Sequence, residues 1–245
     1  MPKHTTRIPR ILMPKAGTDL AKWAVIACDQ YTSQPEYWEK LDREVGGAPS
    51  TLRITLPEVY LEEPDVESRI RTIHDAMGKY LADGILEELP AGIVLTARDS
   101  GGACPRKGLV MAFDLEDYDY HLGSASAIRP TEKTVEERIP PRLAVREGAA
   151  VELPHIMLLI DDPDCAVIEP LFDETDRLQK LYDIDLMENG GHLTGWFIPQ
   201  GALTDQIEAG LANLADRAVF NAKYGVDGSK PVLPFAVGDG NHSMA

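Results

Sequence analysis

A chain of 245 residues is long enough for one large domain or two modest ones, and it can bury enough surface to fold without a disulfide or metal staple. Its composition, 44% apolar and 26% charged, is that of a globular protein, and no run approaches the roughly 20 apolar residues of a membrane span. A formal charge of −16 would be repelled by phosphate backbones, which argues against general nucleic-acid binding but leaves room for a local basic pocket. The polar start, Met1-Pro-Lys-His-Thr-Thr-Arg7, has no apolar core and is not a secretory signal. Cys28, Cys104 and Cys165 are odd in number and include no CxxC pair, so neither a zinc site nor a disulfide framework is expected. All three read as reduced, small buried hydrophobes in a cytoplasmic protein.

Taken in order, Trp23–Ala27 is an apolar run of strand length. Ser33 is placed to cap a helix that starts with Pro35 and Glu36, runs to Val45 and ends at Gly46-Gly47. Residues 51–56 alternate like a strand. Asp65 opens a helix to Ala82 with Val66, Ile70, Ile73, Met77 and Leu81 on one face, and Gly84 closes it. Residues 92–97 and 108–115 read as two strands of a hairpin around a turn-rich loop. The four acids of Asp114–Asp119 read as a solvated loop, because nothing fixes their carboxylates toward one point.

The second part starts near Ala125. A helical pattern from Thr134 is broken by Pro140-Pro141. Residues 153–160 form an apolar strand candidate. Asp173 can cap a helix through Leu181, and residues 192–198 read as another strand. Thr204 opens a helix to Lys223 with Ile207, Leu211, Leu214, Ala218 and Val219 on its apolar stripe. Residues 231–237 form a last strand. Strands and helices interleave throughout, which predicts a mixed α/β (α+β) architecture in two parts, residues 1–124 and 125–245.

The last strand enters Gly238-Asp239-Gly240-Asn241-His242-Ser243. A glycine turn between a strand and a helix start offers free N–H groups and the positive end of a helix dipole to an anion. The alternative is a capped turn with a satisfied histidine. Because the chain stops one turn into that helix, it reads as a piece of a longer protein. A second constellation, Ser126–Arg138, places Pro130 and Thr131 in a loop before a helix and Glu132 at its start, where it is either a functional acid or a capping one. Asp29 and Tyr31 follow a strand end; they line a cleft between the halves or form a polar turn. His155 and His192 lie in apolar strands and read as satisfied core histidines.

Four segments carry a family resemblance: Trp23-Ala-Val-Ile-Ala-Cys-Asp-Gln-Tyr-Thr-Ser33, Ile128-Arg-Pro-Thr-Glu-Lys-Thr134, Glu152-Leu-Pro-His-Ile-Met157 and Val237-Gly-Asp-Gly-Asn-His-Ser243. In these the chain resembles the DUF1015 family. The second half is distantly similar to the ParB/sulfiredoxin-like superfamily, which includes free-serine kinases using ADP or ATP. Those enzymes carry a loop glutamate before a helix and a strand ending in Asp-Gly-His-His-Arg. Glu132 falls on the first position and Asp239-Gly240-Asn241-His242-Ser243 on the second motif. Asn241 stands for the first histidine and Ser243 for the arginine, which removes a bidentate phosphate clamp. The sulfiredoxin cysteine is missing as well.

The resemblance implies an ATP- or ADP-dependent, Mg2+-assisted phosphotransferase acting on a small hydroxyl-bearing metabolite such as free serine, with 125–245 as its nucleotide domain. Glu132 would be the general base, Asp239 would hold Mg2+ or position the phosphoryl group, and His242 would donate to a phosphate oxygen. Gly238, Gly240, Asn241 and Ser243 would line the phosphate loop, with Arg138 or Lys133 replacing the missing arginine. The alternatives are a non-catalytic nucleotide- or metabolite-binding module and a metal-dependent phosphoesterase. The latter is suggested by Gly240-Asn241-His242, which is similar to one piece of the calcineurin-like phosphoesterases, but their other motifs are absent. The partner expected is a small molecule rather than nucleic acid or membrane, with self-association left open.

Overall fold

The structure, a computed structural model, describes residues 5–153 and 155–245. Residues 1–4 of the polar start and Pro154 of the expected 153–160 strand lie outside the described residues. The first part holds strands β1 (Thr6–Arg7) and β2 (Leu12–Pro14), helices α1 (Leu20–Trp23), α2 (Pro35–Val45) and α3 (Val66–Ala82), and strands β3 (Leu86–Glu88), β4 (Gly92–Asp99), β5 (Arg106–Val110) and β6 (Ala112–Phe113). The second holds β7 (Ile128–Pro130), α4 (Ile139–Arg146), β8 (Met157–Leu159), β9 (Gln179–Asp185), β10 (His192–Pro199), α5 (Ala202–Leu214), α6 (Arg217–Tyr224), β11 (Phe235–Asp239) and α7 (Asn241–Met244). The architecture is mixed α/β. Among the described residues, no helix is long and apolar enough to cross a membrane.

Two sheets organise the chain. An antiparallel sheet has the order β5-β4-β10-β9, so a hairpin from before residue 124 pairs with two strands from after it. A smaller sheet has the order β7-β11-β8, with β7 parallel and β8 antiparallel to β11. One core joins them: Ile93 and Leu95 of β4, Ile198 of β10, Ile128 of β7 and Val237 of β11 are each fully buried in it.

The α3 helix forms where expected, and Gly84 in the left-handed region (φ +61°) ends it. The Gly84 N–H reaches the Leu81 carbonyl at 3.2 Å and the Ile85 N–H reaches the Tyr80 carbonyl at 2.9 Å, which satisfies the last turn. Its buried face is completed by Tyr80, not Leu81, which is exposed. The α2 helix also forms as expected, but its cap position is Gln34 and no side chain caps it.

Other expectations are corrected. Residues 24–27 form no strand; α1, capped by Asp19, precedes them, and Ile26 is buried against Trp38, Leu41 and Val45 instead of joining a ladder. Residues 51–53 form a single 3-10 turn capped by Ser50, and the alternating Ile54 and Leu56 pack on Ile73 and Met77 of α3. Ile54 and Leu56 are buried alternately and Trp23–Ala27 is an apolar run, but among the described residues neither segment has a partner strand.

The Pro140-Pro141 pair starts α4, because proline's missing N–H costs nothing in a first turn. Residues 169–177 are 3-10 and are followed by strand β9, where a helix through Leu181 was expected. The expected 204–223 helix is two helices. Asp216 accepts from the N–H groups of Ala218 and Val219, restarting the chain as α6 and leaving Val219 exposed. Thr204 sits inside α5 and exchanges hydrogen bonds with Gly201. The 108–115 strand divides at Met111, with Ala112–Phe113 pairing with β1 instead of β4. Cys104 and Cys165 are exposed, not buried.

Ile93 and Ile198 face each other across β4 and β10 and are completely buried. Replacing either with Ala should cost about 2–5 kcal/mol in urea denaturation. The double variant should lose less than the sum, because both truncations open the same cavity; strict additivity would show that the two side chains do not share one packed site.

Candidate functional site

Parallel pairing fixes the site. Register couples Ile128 to Phe235 and Pro130 to Val237, so whatever follows β7 emerges beside whatever follows β11. The Thr131 N–H and hydroxyl both donate to the Val237 carbonyl, at 3.1 and 2.8 Å. Further on, the Val135 N–H donates to His242 Nε2 at 3.0 Å, and Asn241 Nδ2 donates to Thr134 Oγ1 at 3.2 Å. The Tyr118 hydroxyl closes the staple on the Asn241 carbonyl at 3.3 Å. Thr134, Asn241 and His242 are buried polar groups, and each has found a partner.

This edge opens on a cleft of about 700 Å³. Glu132, Arg138, Asp239, Gly240, Asn241, His242 and Ser243 line it, drawn together from stretches about a hundred residues apart. Gly238 does not: it sits in the bulge of β11, where a Cβ would meet Leu159 at 3.0 Å. Lys133 is exposed and does not line the cleft either. Gly240 has φ +81°, and a Cβ there would lie 2.4 Å from the His155 carbonyl oxygen, so only glycine fits. Its N–H is turned onto Asp239 Oδ1 at 2.9 Å, and the N–H groups of Ser243 and Met244 both go to the Gly240 carbonyl. The turn therefore offers a ligand fewer free amides than its sequence suggests.

Cationic groups come from α4 and its lead-in. Arg138, Arg142 and Arg146 are four residues apart, so they share one helical face, and all three line the cleft. Arg142 is ion-paired with Glu58. Arg146 donates to the Ser243 carbonyl and to Glu152, both at 2.9 Å. Among the described residues, neither Arg138 nor Glu132 has an ion-pair partner.

The first part of the chain completes the wall with Asp29 and Glu58. Asp29 sits in a turn pinned by the Glu58 N–H on the Cys28 carbonyl at 2.8 Å and by Trp38 Nε1 on the Gln30 carbonyl at 3.3 Å. One donor atom each from Asp29, His155 and Asp239 lies within 4.8 Å of the others, a grouping able to hold a metal ion. His155 is thus at the cleft rather than in the core. His192 is not in the core either; it is exposed, with its two ring nitrogens 2.7 Å from Asp185 and Asp183. An apolar chamber of about 370 Å³ adjoins the cleft and shares Cys28, Leu153 and His155 with it.

Over residues 12–245 the chain matches the model of a family described as proteins of unknown function, DUF1015. The chain belongs to the DUF1015 family. Comparison with curated proteins and with solved structures gave no match. In this DUF1015 chain, the sequence signals for Arg142 and Arg146 were the four-residue spacing alone, and nothing local marked Asp29 and His155 as neighbours.

Burial pushes the Cys28 thiol up to about 11, helped by Glu58 and Asp29, so it is not a nucleophile at neutral pH. Burial, with Arg142 and Arg138 nearby, holds His242 below the ordinary imidazole value of 6.5. With Nε2 accepting from Val135, the neutral ring carries its proton on Nδ1. A depressed imidazole stabilises the fold above pH 6.5 and loses that contribution as pH falls, because the unfolded chain takes up the proton first. Thermal unfolding of wild type and His242→Gln from pH 7.5 to 5.5 should show the wild-type advantage shrinking as pH drops. A constant or widening gap would contradict a neutral, buried His242.

Proposed function

We propose that the chain is a nucleotide-dependent phosphotransferase acting on a small hydroxyl-bearing metabolite, with the cleft between β7, β11 and α4 as its active site. The observation that carries this reading is Glu132 and Arg138, a carboxylate and a guanidinium without ion-pair partners among the described residues, lining the same cleft as the 239–243 turn. The cleft volume of about 700 Å³ is within the range of small-molecule sites. The distant likeness of the second half to the ParB/sulfiredoxin-like superfamily and its serine kinases belongs to this proposal. It is supported by a glutamate that follows one strand of a parallel pair and a glycine turn that follows the other.

A bound ATP or ADP with its divalent cation supplies the phosphoryl group and neutralises charge on it. The protein's part is positioning. Glu132 accepts the proton of the substrate hydroxyl. Arg138 takes the place of the missing motif arginine as a fork of donors for phosphate oxygens. His242 has Nδ1–H left as a donor, and Asp239 would hold the cation. Lys133 and Gly238 lie outside the cleft wall.

A second reading, a metal-dependent phosphoesterase, is favoured by the Asp29–His155–Asp239 grouping. Release of inorganic phosphate from ATP or ADP with no acceptor present would select it. Nucleotide binding without turnover of any kind would make the protein a binding module.

Calorimetric titration with ADP and ATP, followed by turnover with free serine and related hydroxy metabolites, tests the kinase reading. Glu132→Gln should lower turnover by about 10²–10⁴-fold and leave nucleotide affinity unchanged; survival of both properties would remove Glu132 as the base. Arg138→Ala should weaken nucleotide binding about tenfold or more while shifting stability by less than about 0.5 kcal/mol, since among the described residues its side chain makes no ion pair. Unaltered affinity in that variant would place the phosphates elsewhere.

A further inference from the structure

We propose that Asp29, His155 and Asp239 form a binding site for a first-row transition-metal dication, Mn2+ or Zn2+ in preference to Mg2+. The proposal rests on the nucleotide reading above for the ion's role, while binding of the ion stands apart from it.

The donors come from three separate pieces of chain: the turn after α1, the approach to β8 and the end of β11. Because β8 runs antiparallel to β11, with Met157 opposite Asp239, the residues before β8 reach the edge where β11 ends. Gly240 then lets the His155 backbone close on the turn, since a side chain there would strike the His155 carbonyl.

The orientation of the carboxylates is the stronger observation. Asp239 Oδ1 accepts from the Gly240 N–H at 2.9 Å, and Asp29 Oδ1 accepts from Gln30 Nε2 at 3.2 Å. The remaining oxygens, Oδ2 of each, face His155 Nδ1 from 3.9 and 3.6 Å. Each carboxylate is thus held by one oxygen and presents the other to a shared gap, as in metal sites whose ligands are oriented by surrounding hydrogen bonds. Among the described residues, no Lys or Arg pairs with either Asp29 or Asp239.

Where this protein makes a direct histidine–carboxylate contact, at His192, the atoms are 2.7 Å apart. The His155 distances are too long for hydrogen bonds. Donor atoms about 2.1 Å from a shared cation at tetrahedral angles lie about 3.4 Å from each other; the two histidine–carboxylate distances, 3.6 and 3.9 Å, are somewhat longer, and all three donors lie within 4.8 Å of one another. One imidazole with two carboxylates is a mixed nitrogen–oxygen set. It suits Mn2+ or Zn2+, whereas Mg2+ favours oxygen ligands and retains several waters. Three protein ligands leave positions open on the cleft side for a phosphate oxygen or water.

The test uses the full chain stripped with a chelator and titrated with MnCl2, ZnCl2 and MgCl2 in calorimetry and thermal shift. One site is expected, tighter for Mn2+ or Zn2+ than for Mg2+ by about tenfold or more. Asp29→Asn and His155→Gln should each weaken it by about tenfold or more while keeping the metal-free melting temperature, and Glu132→Gln should bind as wild type does. Mn2+ bound to the wild type should show nitrogen modulation in its electron spin echo, a readout that needs no variant to fold. Absence of that modulation, affinity unaffected in both ligand variants, or Mg2+ bound as tightly would overturn the site. Metal binding without ADP binding would sustain the site and defeat the nucleotide reading; ADP binding without metal binding would do the reverse.

Discussion

Parallel pairing of β7 with β11 is the constraint on which the rest of the structure depends. It is only three residue pairs long, Ile128 to Phe235 through Pro130 to Val237. Two of its members, Ile128 and Val237, are completely buried, so the register cannot slip by one residue without turning apolar side chains outward. Arg129 fastens the approach to β11 by donating to the Val232 carbonyl at 2.7 Å. Polar staples past the strand ends then continue the pairing where the ladder stops. Each staple is inexpensive only while intact. Removing one partner would leave a buried donor or acceptor unsatisfied, at about 1–3 kcal/mol.

The cleft also needs the first part of the chain. Asp29 and Glu58 are fixed relative to one another by the Cys28 carbonyl, which accepts the Glu58 N–H. Glu58 in turn holds Arg142 of α4. A short chain of contacts therefore runs from the α1–α2 turn through Glu58 to α4, and from α4 through Arg146 to the Ser243 carbonyl in α7. Both sides of the cleft are held by the same helix. The antiparallel β4–β10 pairing gives that arrangement a rigid base, because it ties residues 92–99 to 192–199 over its full length.

Local chemistry made some of this legible in the sequence. The α3 helix declares itself by its apolar stripe and Gly84, and β10 by its composition. Strands failed where alternation served packing alone, as at Ile54 and Leu56, and β9 was hidden by charged residues on its outward face. The expected single helix over 204–223 failed at Asp216, a cap residue inside a helical pattern. At the site, Glu132 and the 239–243 turn stood out because each is a local signal. Arg142 and Arg146 were concealed by the Pro140-Pro141 pair, read as a break when it is a start. Asp29 and His155 could not be joined from sequence. Antiparallel register and a missing Cβ at Gly240 bring His155 to Asp239, while Asp29 arrives on a separate turn tied to Glu58 through the Cys28 carbonyl, and none of these leaves a spacing to count.

Charge links the two ligands proposed for this cleft. The protein carries a net −16, and carboxylates outnumber guanidiniums along the cleft wall. Two of its three arginines are already engaged, Arg142 by Glu58 and Arg146 by Glu152. Arg138 alone is a poor match for the charge of a polyphosphate, whose approach the surrounding acids oppose. A dication on Asp29, His155 and Asp239 would cancel the charge of those two carboxylates and leave coordination positions open to a phosphate oxygen. An anion and a metal would then bind with mutual support, each more tightly in the presence of the other. Two of the acids that oppose a phosphate ligand taken alone, Asp29 and Asp239, are the groups that would recruit a cation to accompany it.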